Sequence, residues 1–275
     1  MAGLRADGGG PTAAVAARPA ADVAGTAGVA GAAAPAAPTT PAAPTTPAAL
    51  TTPAAPTTPA RVGQVFRPVT SLGPGRRLGI WFQGCTLACP GCMSRHTWES
   101  TGGRELTVDR FAALWRAALA DGLDGLTVSG GEPLEQPAAL AALLAAADAE
   151  RRRAGHPADL LVYTGWEPEE LAADPATAAA LDGADAVITG RYRAGQPTRL
   201  AWRGSANQRL TTRTALGRER YAPYLDHRPE RPELQVRVSE GEVRVIGVPR
   251  PGDLGRIERD LVRRGVTLRE TSWRP

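Results

Sequence analysis

Apolar and polar positions alternate along the chain in two distinct rhythms from Arg61 onward. LGIWFQ (Leu78 to Gln83) is a short apolar run that reads as a buried strand. TVDRFAALWRAALADG then places Val108, Phe111, Leu114, Trp115, Ala118 and Leu119 on one helical face, with Thr107 as cap and Gly122 as stop. LDGLTVSGG is a short strand ending in glycines, and PAALAALLAAADAERRRAG opens a helix at Pro137 and closes it at Gly155. DLLVYTGW is another strand, EPEELAADPATAAALDG a broken helical stretch, and ADAVITG a strand. Strands that alternate with helices in this way predict βαβ units and a parallel sheet.

The C-terminal rhythm is different. ELQVRVSEGEVRVIGV alternates on both sides of Glu240-Gly241, which predicts a hairpin. A helix from Leu254 to Arg264, capped by Asp253, and a last strand from Val266 to Arg269 follow. Residues 231–275 therefore read as a small hairpin-plus-helix appendage to a domain spanning 61–230. Residues 1–60 are nearly all Ala, Gly, Pro, Thr and Val, with a PAAPTT-type hexapeptide repeating from Pro35 to Thr58. Such a segment has too little apolar surface to offset its ordering entropy, and the expectation is a disordered, partly polyproline-like tail. It has neither the leucine-rich core of a signal peptide nor a stretch able to span a membrane.

Composition narrows the function. Net charge is +4, and all 32 basic residues are arginine, dispersed among 28 acids with few aromatics between them. That is not the footprint of a nucleic-acid binder. The three cysteines, Cys85, Cys89 and Cys92, fall within eight residues of one another. An odd, clustered set with nothing elsewhere to pair is no disulfide framework, and it points to ligands for one object in a reducing, cytoplasmic setting. His96 offers a fourth donor, so a Cys₃His zinc site or an electron-carrier module is one reading. The other is a [4Fe–4S] cluster with one iron lacking a protein ligand, an arrangement suited to catalysis. Pro90 and Gly91 supply the sharp turn either needs. At the end of the second predicted strand stand Gly130-Gly131-Glu132-Pro133. Paired glycines there admit close approach to the backbone, and an acid beside them attracts an ammonium group. A zinc loop or simple electron carrier has no use for Glu132.

Cys85-x₃-Cys89-x₂-Cys92 together with TVSGGEPLEQ resembles the radical S-adenosylmethionine superfamily. SLGPGRRLGIWFQGC, CPGCMSRHTW, LVYTGW and WRGSANQRL, in that order over roughly residues 65–212, resemble more closely the activating proteins of anaerobic, glycyl-radical ribonucleotide reductase. The resemblance implies an α/β fold, a partial (open) parallel β/α barrel. It also implies a [4Fe–4S] cluster on Cys85, Cys89 and Cys92, with S-adenosyl-L-methionine against Gly91, Met93, Gly130, Gly131 and Glu132. It further implies a reductant of flavodoxin or ferredoxin type and a large protein partner carrying the target glycine. Radical modification of another peptide or a small molecule is the alternative within the same chemistry. Two departures stand out: Gly91 replaces the aromatic residue usual before the third cysteine, and Thr189-Gly190 replaces an aspartate–glycine pair. The RYRAGQPTRLAWRGS segment after it is also unusually basic. His96, Tyr163 and Trp166 read as positioning or wall residues. Arg203, Asn207 and Arg209 read equally as a binding loop for a partner or a cofactor carboxylate and as a structural one.

Overall fold

Four parallel strands form the centre of the fold: β2 (Arg77–Phe82), β4 (Gly125–Gly130), β5 (Asp159–Tyr163) and β6 (Ala186–Thr189). The protein is described here from a computed structural model, which covers residues 59–239 and 242–266. The predicted tail up to residue 58, the Glu240-Gly241 turn and nearly all of the expected last strand lie outside the described residues. Ala60, assigned to the tail by composition, instead opens a strand and is 1% exposed.

Each parallel strand adds beside the one before it, in the order β2-β4-β5-β6. The connections run through α1 (Val108–Ala120), α2 (Pro137–Arg153), and the short helices α3 (Pro168–Ala173) and α4 (Pro175–Ala178). A parallel sheet extended always in one direction by right-handed crossovers carries its helices on one face. The residue pattern agrees: Leu78, Ile80 and Phe82, Leu126 and Val128, Leu160 and Val162 pack with Phe111 and Trp115 of α1 and with Leu140, Leu143 and Leu144 of α2. The Trp115 indole N–H donates to the Ala147 carbonyl at 3.0 Å, joining α1 to α2. Thr107 caps α1 as predicted, its hydroxyl accepting from the Arg110 amide, and Gly122 follows in the left-handed region at φ 71°.

The sheet is not wholly parallel. It has seven strands, in the order β3-β1-β2-β4-β5-β6-β7. β1 (Ala60–Val69) is antiparallel to both β2 and β3 (Arg104–Leu106), and β7 (Arg209–Thr212) is antiparallel to β6. The turn around SLGPG reverses the chain over a few residues, and such a link can join only antiparallel neighbours. The periodicity of β1 is hidden by register shifts between Val62 and Gln64 and between Phe66 and Val69. A bulge breaks the two-residue rhythm on which strand reading depends. A further helix, α5 (Ala215–Tyr221), follows β7.

The predicted hairpin is present as a separate two-stranded sheet, β8 (Leu234–Ser239) with β9 (Glu242–Gly247). Ile246 of β9 packs with Val69, Leu72 and Trp81, and the Ser71 hydroxyl donates to the Ile246 carbonyl at 2.9 Å. The last described helix, α6 (Asp253–Arg263), starts one residue earlier than its sequence signals suggest. Gly252, at φ 88°, occupies the cap position, and Asp253 is the first helical residue. The Asp253 carboxylate accepts from the Arg250 amide at 2.8 Å and from the Arg256 guanidinium at 2.7 Å.

On the sheet face away from α1 and α2, a polar cluster fills the N-terminal ends of the strands. Arg77 is fully buried and donates to Thr127 Oγ1 (2.7 Å), the Pro74 carbonyl (2.9 Å), the Leu126 carbonyl (2.8 Å) and both Asp159 carboxylate oxygens (3.0 and 2.6 Å). Tyr221 of α5 donates to the same carboxylate. Burial pushes the guanidinium toward neutrality, and the Tyr221 and Asp159 oxygens outweigh it, holding Arg77 above the usual arginine range. This cluster ties β2, β4, β5 and α5 together at the end of the sheet opposite the cysteines.

Candidate active site at the strand ends

The C-terminal ends of parallel strands are where open α/β sheets bind ligands. Here β2 delivers the cysteine loop, β4 the Gly131–Gln136 turn, β5 the Thr164–Glu167 turn, and β6 the long segment from Gly190 to Gln208. The β2 and β4 segments are bonded backbone to backbone, as are the β5 and β6 segments, and the Glu132 carboxylate joins the two pairs.

The cysteine loop is closed at its base by two bonds: Gly84 N–H to the Thr97 carbonyl (2.8 Å) and Cys85 N–H to the Trp98 carbonyl (3.0 Å). Thr97 is fully buried beneath it. Gln83 stitches the loop further, its amide donating to the carbonyls of His96 (3.3 Å) and Glu99 (2.7 Å). Inside, Ala88 adopts φ 45° and Gly91 φ 77°, and Cys92 N–H bonds the Cys89 carbonyl at 3.1 Å. Only a tightly coiled loop has left-handed residues at such short intervals.

The three thiols are half-buried. Burial pushes Cys85 up to about 11 and raises Cys89 as well, while the Leu87 and Ala88 amides act on the Cys85 sulfur and the Tyr192 amide on Cys89 in the opposite direction. The Ser94 amide donates to Cys92 Sγ at 3.4 Å. Burial thus favours the protonated thiols of Cys85 and Cys89, and a bound metal must displace those protons. Amide donors aimed at sulfur are the means by which proteins stabilise the charge of iron–sulfur ligands. Among the described residues no three His, Cys, Asp or Glu side chains close on a single metal ion. In the Cys₃His alternative His96 would join the three thiols as the fourth donor that tetrahedral zinc needs. His96 is exposed. The soft donor set, one loop of thiolates with amide partners, fits a multi-iron cluster.

Gly130 and Gly131 are essential to the packing. A Cβ on Gly130, which sits at φ 111°, would collide with the Phe82 backbone, and one on Gly131 would collide with the Gly84 carbonyl. The close approach that these glycines permit on their Cβ side is by the β2–Cys85 backbone. Gly131 N–H donates to the Phe82 carbonyl and Glu132 N–H to the Gly84 carbonyl, both at 2.8 Å. The motif at the end of β4 is thereby locked to the root of the cysteine loop.

Glu132 does not reach into solvent. It is 1% exposed, and its carboxylate accepts from the Leu134 amide (2.9 Å), Thr164 Oγ1 (2.8 Å) and the Gly165 amide (2.7 Å). Burial pushes its pKa up to about 7 in spite of these donors. The acid expected to attract an ammonium group is held between the β4 and β5 turns by these donors. The sequence reading passed over its neighbours Glu135 and Gln136. Glu135 Oε1 accepts from the Thr86 amide and hydroxyl (2.5 and 2.7 Å), fixing the residue next to Cys85. The Gln136 amide donates to the carbonyls of Arg61 (3.1 Å) and Gln83 (2.9 Å). Their signal was adjacency to the motif, in the same TVSGGEPLEQ segment.

The segment after β6 covers the loop. A Cβ on Gly91 would lie in ordinary contact with the Tyr192 ring at 3.4 Å and with Ala194 at 3.5 Å. Gly190 N–H bonds the Trp166 carbonyl at 2.9 Å, and Asn207 and Gln208 donate their side-chain amides to the Arg191 and Gly190 carbonyls, each at 2.9 Å. The Asn207 Oδ1 is buried with no hydrogen-bond partner among the described residues. Met93 is half-buried on the loop beside Cys92, and Arg209 lies in β7, exposed. Tyr163 and Trp166 pack as wall residues, Tyr163 with the aromatic cluster and Trp166 against the main core.

Residues 71–211 match the family described as the 4Fe-4S single cluster domain. The chain is 31% identical over 147 residues to the anaerobic ribonucleoside-triphosphate reductase-activating protein of Enterobacteria phage T4, covering 52% of this chain and 87% of that protein. The protein of the same name from Pasteurella multocida is 34% identical over 142 residues, and that from Escherichia coli K12 32% over 144. These cover 50% of this chain and 87% and 88% of the relatives.

Proposed function

Since this chain belongs to the 4Fe-4S single cluster domain family, that of the anaerobic ribonucleoside-triphosphate reductase-activating proteins, we propose that it is an activating enzyme of the radical S-adenosylmethionine class, built on an open β/α barrel. When bound, the [4Fe–4S] cluster and S-adenosylmethionine would supply reductive cleavage of the sulfonium to methionine and a 5′-deoxyadenosyl radical able to take hydrogen from a glycine. Cys85, Cys89 and Cys92 hold the cluster. Gly91 and Met93 flank the third thiolate where the cofactor approaches. Gly130, Gly131 and Glu132 present the backbone that meets its methionine end, and Glu132 acts there as a positioning residue through the turns it joins. The partner is a reductase bearing the target glycine, and the electron comes from a flavodoxin- or ferredoxin-type donor.

One observation carries this reading: the thiolate loop and the Gly130–Glu132 turn are bonded backbone to backbone at adjacent strand ends. That juncture sets the thiols that would hold the cluster beside the turn that would meet the cofactor. The fold contributes rigidity, because loops held within a fraction of an ångström keep reacting groups in line.

The test is anaerobic reconstitution with iron and sulfide, then dithionite and S-adenosylmethionine, with 5′-deoxyadenosine as the readout. Production should vanish in Cys89→Ala together with the iron. A full iron complement in that variant would overturn the ligand assignment, and a colourless, zinc-holding wild type that makes no deoxyadenosine would overturn the class. A glycine-centred electron paramagnetic resonance doublet on an added reductase partner would identify the acceptor.

A further inference from the structure

The basic segment after β6 also borders a cleft shared with the turn between β1 and β2 and the stretch from β9 into α6. Arg203 lines this cleft and is 6% exposed. A guanidinium that deep is ordinarily met by a carboxylate. Arg203 meets only carbonyls: Ala201 (3.3 Å) from Nε, and Tyr224 (2.9 Å) and Leu225 (2.7 Å) from Nη2. Neutral dipoles fix its direction but leave its charge uncompensated, and Nη1 has no acceptor among the described residues. Burial pushes its pKa below the ordinary arginine range, and Asp226 opposes this without coming within ion-pair distance.

Two more arginines line the same cleft. Arg250 donates to the carbonyls of Glu230 (2.6 Å) and Pro229, again with no acid within ion-pair distance among the described residues. Arg199 is exposed and has no ion pair among them either. Glu233 is the acid of the lining, against three arginines. Elsewhere in the molecule arginines find carboxylates readily, as Arg191 does with Glu170 and Arg193 with Glu167. Next to Arg203, Trp202 is held at φ 60°, a left-handed conformation costly for a bulky side chain. That turn sets the indole against Tyr224, ring centroids 4.4 Å apart, as an apolar wall of the cleft.

We propose that this cleft binds a small oxyanion ligand whose phosphate or carboxylate group pairs with Arg203, with Arg199 and Arg250 beside it. The site is additional to the cysteine loop: the β1–β2 turn enters the N-terminal end of β2, and the thiols follow its C-terminal end.

Calorimetric titration of the full chain with inorganic pyrophosphate, and separately with tricarballylate, tests this without iron or S-adenosylmethionine. Saturable 1:1 binding of one probe is expected, and which probe binds tells phosphate from carboxylate. Arg250→Gln and Arg199→Gln should each weaken it, Arg250→Gln by about tenfold, as loss of a charge-assisted contact does. Arg203→Met should abolish it. Because that variant removes internal bonds, its far-ultraviolet spectrum and melt are recorded alongside, and the two glutamine variants carry the test if it misfolds. Arg116→Gln, on α1, should bind as wild type. Failure of both probes to saturate, or unchanged affinity in both glutamine variants, would overturn the proposal.

Discussion

Replacing Asp159 by Asn changes one atom and should unfold more of the protein than any exposed substitution. Asp159 is fully buried and accepts from Arg77 through both oxygens, from Arg220 Nε at 3.0 Å and from the Tyr221 hydroxyl. An asparagine keeps one acceptor oxygen and turns an NH₂ group toward donors on the other side, whichever way it flips. It also leaves the Arg77 charge buried without its counter-ion. Breaking a buried pair from one side costs about 3–5 kcal/mol, a large part of the roughly 5–15 kcal/mol that holds a domain together. For a domain of this size that corresponds to a fall in Tm of about 6–20 °C. Urea unfolding under anaerobic, reducing conditions measures the first quantity and a thermal melt the second. The double variant Arg77→Met/Asp159→Leu removes both charges and should recover much of the loss. A single-variant loss below about 1 kcal/mol, or a double variant less stable than Asp159→Asn, would refute this account, since an uncompensated buried charge is what it turns on.

Gly131→Ala should cost about 1–3 kcal/mol and reduce iron incorporation, because its Cβ meets the Gly84 carbonyl at the root of the cysteine loop; a melt and an iron assay on the same preparation check both. Glu132 gives a pH signature. Its folded pKa of about 7 lies above its ordinary 4.5, so between those values the folded protein keeps a proton that the unfolded chain has lost. Stability of the metal-free protein should therefore be greatest below about pH 4.5 as far as this group is concerned, and fall by up to about 1.4 kcal/mol per pH unit until about pH 7. Urea midpoints from pH 5 to 8 should slope downward in wild type and less steeply in Glu132→Gln; parallel slopes would sink the assignment.

The elements with a strong, uninterrupted rhythm were readable from residues alone: the four parallel strands, α1 with its Thr107 cap, α2 opening at Pro137, and the β8–β9 hairpin. Each is specified by local periodicity and by end signals that act within a turn or two of the chain. β1 was not, because its register shifts and Pro68 erase the alternation, and β3 and β7 are too short to show one. Their partners, not their own sequences, make them strands. The cysteines and the glycine–glutamate motif stood out because their chemistry is rare at that spacing. Their convergence was expected at the sheet's edge, although 45 positions lie between Cys85 and Gly131, but the backbone bonds that join them were not.

Only the fold turns Glu132 inward. A carboxylate beside two glycines reads as a ligand group, and it is the convergence of the Leu134, Thr164 and Gly165 donors that makes it a strut. Arg77 and Arg203 show the same limit. Among 32 arginines, nothing in the residue string separates one locked to a buried carboxylate from one left facing carbonyls beside a cleft. The sequence by itself determined which chemistry the chain carries, because thiol number and spacing are local properties. Burial and charge compensation depend on which distant segments arrive at the same place, and tertiary structure alone decides that.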